Sequence, residues 1–77
     1  MRVVFRLYAK FREQFGTSRV ELDLEDGATV MDALGELFHG DVPKGLMVAV
    51  NDRLVESLDT RLGDGDVVDV MPPASGG

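Results

Sequence analysis

Val20, Leu22 and Leu24 alternate with Arg19, Glu21, Asp23 and Glu25. Successive side chains of an extended chain point to opposite sides, so this spacing puts every apolar group on one face of a strand. That face needs a core to cover it, and a chain of 77 residues can build only one. Such a chain forms a single domain near the lower size limit, burying roughly 60% of its unfolded surface. Val3, Phe5 and Leu7 repeat the alternation against Arg2, Arg6 and Tyr8, with Val4 interrupting the polar side. The apolar run Leu46–Val50 suits an interior strand, Arg53-Leu54-Val55 a short one, and 66–71, with Val68 and Val70 on one face, the last.

Helical spacing occurs twice. Phe11 and Phe15 share a helical face in the stretch from Ala9, and Gly16 stands where a C-cap glycine belongs. Val30, Leu34, Leu37 and Phe38 form an apolar stripe, with Thr29 placed to cap the helix and Asp32 in its electropositive first turn. Gly35 weakens this helix and is expected to admit a neighbouring strand; Gly40 and Pro43 end it, with His39 at its end. Turns are expected at Asp26-Gly27, Asn51-Asp52 and Asp64-Gly65, and Leu58 and Leu62 are expected to plug the core from a loop. The element order predicts an α+β fold: a mixed sheet with one main helix on one face and an extra short helix after the first strand. Val4, Tyr8, Met47 and Met71 then fall on the open face and make it a contact patch.

Composition removes several function classes. The chain has no cysteine, hence no disulfide, thiolate metal site or thiol nucleophile, and its one histidine makes a metal site improbable. A formal net charge of -6 disfavours nucleic acid and suits a basic partner. No apolar run is long enough to span a membrane, and the N-terminal stretch lacks a signal-peptide core, so a cytoplasmic location is expected.

Residues 1–71 account for the expected body; 72–77, Pro-Pro-Ala-Ser-Gly-Gly, read as an extended tail. Pro72 and Pro73 stiffen its root, because each fixes φ and removes a backbone donor. Ala74, Ser75, Gly76 and Gly77 offer a core almost nothing. At about 3.1 Å per residue such a tail reaches roughly 20 Å, enough to present a terminal carboxylate inside another protein's narrow channel.

Ala49-Val50-Asn51, Leu54, Leu62-Gly63-Asp64-Gly65-Asp66-Val67-Val68 and the Pro-Pro-Ala-Ser-Gly-Gly ending, with Tyr8-Ala9 and Phe11-Arg12-Glu13 near the start, resemble the small, sulfur-carrying subunit of molybdopterin synthase. The resemblance spans nearly the whole chain and implies the ubiquitin-like β-grasp fold. It also implies a chemistry for the tail. An α-carboxyl, with a reference pKa of about 3.5, is ionised at neutral pH and resists nucleophiles. In this family a ubiquitin-activating-like adenylyltransferase uses ATP and Mg²⁺ to adenylate the terminal glycine, here Gly77. Sulfur from a persulfide donor then displaces AMP, and the large synthase subunit passes the resulting thiocarboxylate sulfur to a pterin to form the molybdopterin dithiolene. Catalytic side chains would belong to those partners, and the chain itself would bind no cofactor. Gly76 and Gly77 would thread a channel too narrow for a Cβ, with Pro72, Pro73 and Ser75 leading in. The family's partner surface maps onto Tyr8, Leu54 and Met71, with Arg12 on the first helix placed to meet acidic groups.

Other families share this fold and ending: sulfur carriers for thiamine or tRNA thiolation, and archaeal small modifiers that join Gly77 to lysines of other proteins. Lys10 and Lys44 are the only lysines of this chain. A pure interaction domain with an inert tail is a further class.

Overall fold

A computed structural model of the chain describes residues 1–73. The expectations for Ala74, Ser75, Gly76 and Gly77 lie outside the described residues. Seven elements follow one another: β1 (Arg2–Leu7), α1 (Lys10–Phe15), β2 (Arg19–Asp23), α2 (Val30–Leu37), β3 (Met47–Val50), β4 (Arg53–Leu54) and β5 (Val67–Met71). The strands form one mixed sheet in the order β2-β1-β5-β3-β4. β5 runs parallel to β1 and antiparallel to β3, so the last strand is the middle one. This is the ubiquitin-like β-grasp.

The core faces follow the alternation. Val3, Phe5, Leu7, Val48, Val68 and Val70 are buried, and Val20, Leu22 and Val50 pack at the margin. From the helix side Val30, Ala33, Leu34 and Leu37 close the layer. Phe38 joins the two helices, meeting the rings of both Phe11 and Phe15 edge-to-face at 5.5 Å, a geometry aromatic quadrupoles favour.

Thr29 caps α2 reciprocally: the Asp32 N–H donates to Thr29 Oγ1 at 3.2 Å, and the Thr29 N–H donates to Asp32 Oδ2 at 2.9 Å. The next two N–H groups of the helix, those of Val30 and Met31, donate to the carbonyls of Thr60 and Leu58, each at 2.9 Å. The loop before β5 therefore does more than plug the core with Leu62 and Leu58; its backbone also satisfies donors that a helix start leaves unpaired.

Strand boundaries move by one or two residues: β1 stops before Tyr8, β2 stops before Leu24, β3 starts after Leu46, β4 stops before Val55, and β5 starts after Asp66. Gly35 is a correction of substance. A Cβ built there meets nothing within 4 Å, so no strand approaches it closely. The glycine only costs the helix backbone entropy, and Gly35→Ala is expected to raise stability by about 0.5–1 kcal/mol. For a domain of this size that is a rise of roughly 4 °C in Tm, readable by thermal unfolding; no rise would mean the glycine has a packing role.

Candidate functional site: the open sheet face and the tail root

The sheet face turned away from α2 carries the alternate residues: Arg2, Val4 and Arg6 of β1, Val67, Asp69 and Met71 of β5, and Met47 and Ala49 of β3. Register fixes their neighbours. Arg6 pairs with Asp69, Asp69 with Ala49, Met71 with Met47, and Ala49 with Leu54.

Two regions result. Over β1 and β2 the face is charged. Arg2 Nε donates to Asp23 Oδ1 at 2.7 Å and Arg2 Nη1 to Glu21 Oε1 at 3.1 Å, while Arg19 also reaches Glu21. The hydrogen bonds from Arg2 are the chief reason both carboxyls are held below their ordinary range. Over the end of β5, β3 and β4 the face is apolar. Leu54 is 64% exposed and Tyr8 39% exposed, with Met47 and Met71 half-buried beside them. Three of the expected partner residues, Tyr8, Leu54 and Met71, thus share this face.

Arg12 lies at the edge of this face, on the exposed side of α1. It lines a shallow hollow of about 210 Å³ together with Arg6, Tyr8 and Arg19. Among the described residues it makes no ion pair.

Between the two regions stands a feature that the sequence reading missed. Arg6 grips Asp69 with two parallel bonds, from Nε to Oδ1 and from Nη2 to Oδ2, the latter at 2.8 Å. Arg6 Nη2 also donates to Asp52 Oδ1 at 2.9 Å, tying β1 to the β3–β4 turn. Asp69, at 7% exposed, is the one buried charged residue among those described. The bond to Asp69 is the main cause of a raised Arg6 pKa, so the guanidinium stays charged. Such a forked pair fixes direction as well as distance. The Tyr8 hydroxyl lies 3.4 Å from Asp69 Oδ1, at the long limit of a hydrogen bond. The signal available in the sequence was a lone acid inside the valine run 67–70; its partner could be named only once β5 was known to lie beside β1.

β5 leads directly to the expected tail. Met71 pairs with Met47, and the Tyr8 N–H donates to the Val70 carbonyl at 3.3 Å. The strand before Pro72 is therefore held from both sides. Pro72 is half-buried and Pro73 exposed; Ser75, Gly76 and Gly77 lie outside the described residues. Among the described residues no group of three His, Cys, Asp or Glu side chains could hold a metal ion, and no helix is long and apolar enough to cross a membrane.

A profile of the ThiS family matches residues 5–77. Small archaeal modifier protein 3 of Haloferax volcanii is 37% identical over a 92-residue alignment covering all of both chains. The molybdopterin synthase sulfur carrier subunit of Chlamydomonas reinhardtii is 34% identical over 83 residues, again covering all of both. Among solved structures, SAMP1 from Haloferax volcanii superposes with a TM-score of 0.85 at 26% identity, with both chains fully covered. A complex of subunits 1 and 2 of the molybdopterin-converting factor from Helicobacter pylori gives a TM-score of 0.70 at 26% identity, also with full coverage of both chains.

Proposed function

The chain belongs to the ThiS family of ubiquitin-like sulfur carriers, and from that premise we propose that the Gly77 carboxyl group carries sulfur for molybdopterin synthesis. The observation that bears most weight is the relative that is itself a molybdopterin synthase sulfur carrier subunit, similar along its whole length. The anchored middle strand supports the same reading. β5 delivers Pro72 at a fixed place and direction, so ordering the tail costs less when a partner takes it up.

The chemistry follows from the ionised carboxylate. One of its oxygens attacks the α-phosphate of ATP on the adenylyltransferase, with Mg²⁺ there, and pyrophosphate leaves. The terminal sulfur of a persulfide then attacks the acyl carbon and AMP leaves. A thiol cleaves the remaining S–S bond to the donor, and the thiocarboxylate is free. The large synthase subunit next takes the tail and transfers the sulfur to cyclic pyranopterin monophosphate. This chain supplies no acid, base or metal; it supplies reach, and a face to dock with.

Tyr8, Met47, Leu54 and Met71 form that docking face. Leu54→Asp leaves stability within about 0.5 kcal/mol, because the side chain is largely exposed. It is expected to weaken binding to the large subunit by about 2 kcal/mol or more, since an unpaired charge would be buried in the contact. Titration calorimetry reads the effect, and undiminished affinity would move the contact elsewhere.

The 37% identity to an archaeal small modifier favours a second reading, in which Gly77 is joined to lysines of other proteins. Reconstitution separates the two. The chain, once thiocarboxylated, should convert the pterin to molybdopterin when mixed with the large subunit. Failure of that conversion, together with branched Gly-Gly remnants on cellular lysines, would replace the first reading by the second.

A further inference from the structure

We propose that Gly45, in the turn before β3, is a positioning residue that sets the direction in which the tail root leaves the body. The proposal rests on the tail-based reading above for its consequence, though not for its geometry. Gly45 has a φ of 77°, and a Cβ built on it would lie 3.3 Å from Pro73 Cγ and 3.8 Å from Pro73 Cβ. Carbon atoms prefer about 3.5–4.0 Å, so the ring of Pro73 already occupies the space a side chain would need. Four other described glycines have positive φ: Gly16, Gly27, Gly40 and Gly65. Three of these face open space, and at Gly27 the neighbour is the movable tip of Arg61. Gly45 alone joins a left-handed backbone to a rigid neighbour, and that neighbour is the second proline of the tail.

The register explains why the two meet. Met47 pairs with Met71, so the residues just before β3 lie level with those just after β5. A proline ring cannot swing aside by rotating a side-chain bond. Relief of the contact then falls to the backbone on either side, and the proposal is that the chain between Met71 and Pro73 is the part that tilts. In a tail drawn out at about 3.1 Å per residue, Pro73 would stand roughly 6 Å beyond Met71 and residue 77 roughly 19 Å. When the tail is drawn out in a partner's channel, a tilt of a few tenths of an ångström at Pro73 grows about threefold, to around 1 Å at the reacting carbon. Misplacement of that size costs up to about a hundredfold in rate.

The test is a double-mutant cycle with Gly45→Ala and Pro73→Ala, because P73A removes Cγ and leaves Cβ at an ordinary distance. The positive φ strains G45A with or without P73A, so a general loss of stability is common to both backgrounds and only the Pro73 contact differs. The absence of cysteine allows spin labels at Glu36→Cys on α2 and at Ala74→Cys. G45A is expected to shift the distance between the labels, and G45A/P73A is expected to show no further shift beyond that of P73A alone. In parallel, G45A should lower kcat/KM for sulfur loading by about tenfold or more in the Pro73 background and by under about twofold in the P73A background. An unchanged label distance in G45A, or equal losses in both backgrounds, overturns the proposal. If the unaltered chain takes no sulfur, the carrier reading fails, and the label distances still decide the role of Gly45.

Discussion

Gly77→Val is expected to lower sulfur loading at least about a hundredfold while leaving the folded body unchanged. Glycine has no side chain to withdraw from a core, and the buried core residues among those described fall between Val3 and Val70, so Tm is expected to stay within the change that about 0.5 kcal/mol produces. The chemistry is exposed to the change in full. Valine adds a branched Cβ beside the carbon that must be adenylated, and β-branching also narrows the allowed backbone. In a channel shaped for main chain, the reacting carbon would stop short of the α-phosphate. Displacement by about 1 Å already costs roughly a hundredfold, and a loss of at least that size is expected in pyrophosphate exchange and in thiocarboxylate formation. A variant that loads normally would show that the activating site tolerates a side chain at this position, and the threading role of Gly76 and Gly77 would fall with it.

Phe5→Ala has the largest expected effect on the body itself. Phe5 is fully buried in β1, with Val20 on one neighbouring strand and Val68 on the other. Truncating a buried phenylalanine costs about 3–5 kcal/mol. A domain of this length has about 4–12 kcal/mol in total, so roughly a quarter or more of its stability would be lost. In urea the midpoint should fall steeply at constant slope. Sulfur loading should fall as well, and recover on cooling or on adding the large subunit, because binding favours the folded state. That recovery distinguishes it from Gly77→Val, which no stabiliser should rescue. A cost under about 1 kcal/mol would show that the alternating face of β1 is not the centre of the core.

What the sequence disclosed follows from the reach of each signal. Alternation identifies the buried face of a strand, and Val3, Phe5, Leu7, Val68 and Val70 are all on the core side. The Thr29–Asp32 pair identifies a helix start, and the capping box is present. Asn51-Asp52 marks a tight turn, and both residues have the positive φ, 50° and 69°, that a two-residue hairpin favours. None of these signals says which strand lies beside which. Periodicity is blind to the insertion of β5 between β1 and β3, and so to what depends on it: the Arg6–Asp69–Asp52 network and the level placement of Gly45 and Pro73; it is equally blind to the path of the loop that brings the carbonyls of Leu58 and Thr60 to the start of α2. Alternation already put Tyr8 and Met71 on the open face, resemblance added Leu54, and the register places the three together there. Ala9 has a φ of 52° before α1, and nothing in its type or spacing signals it.

The most direct test is the intact mass of the protein isolated from its own cells under conditions that preserve thiocarboxylates. A fraction heavier by the difference between one sulfur and one oxygen atom, with fragmentation placing the change on Gly77, is the expected result. A tail that carries only oxygen, in cells actively making molybdopterin, would contradict the sulfur-carrying role.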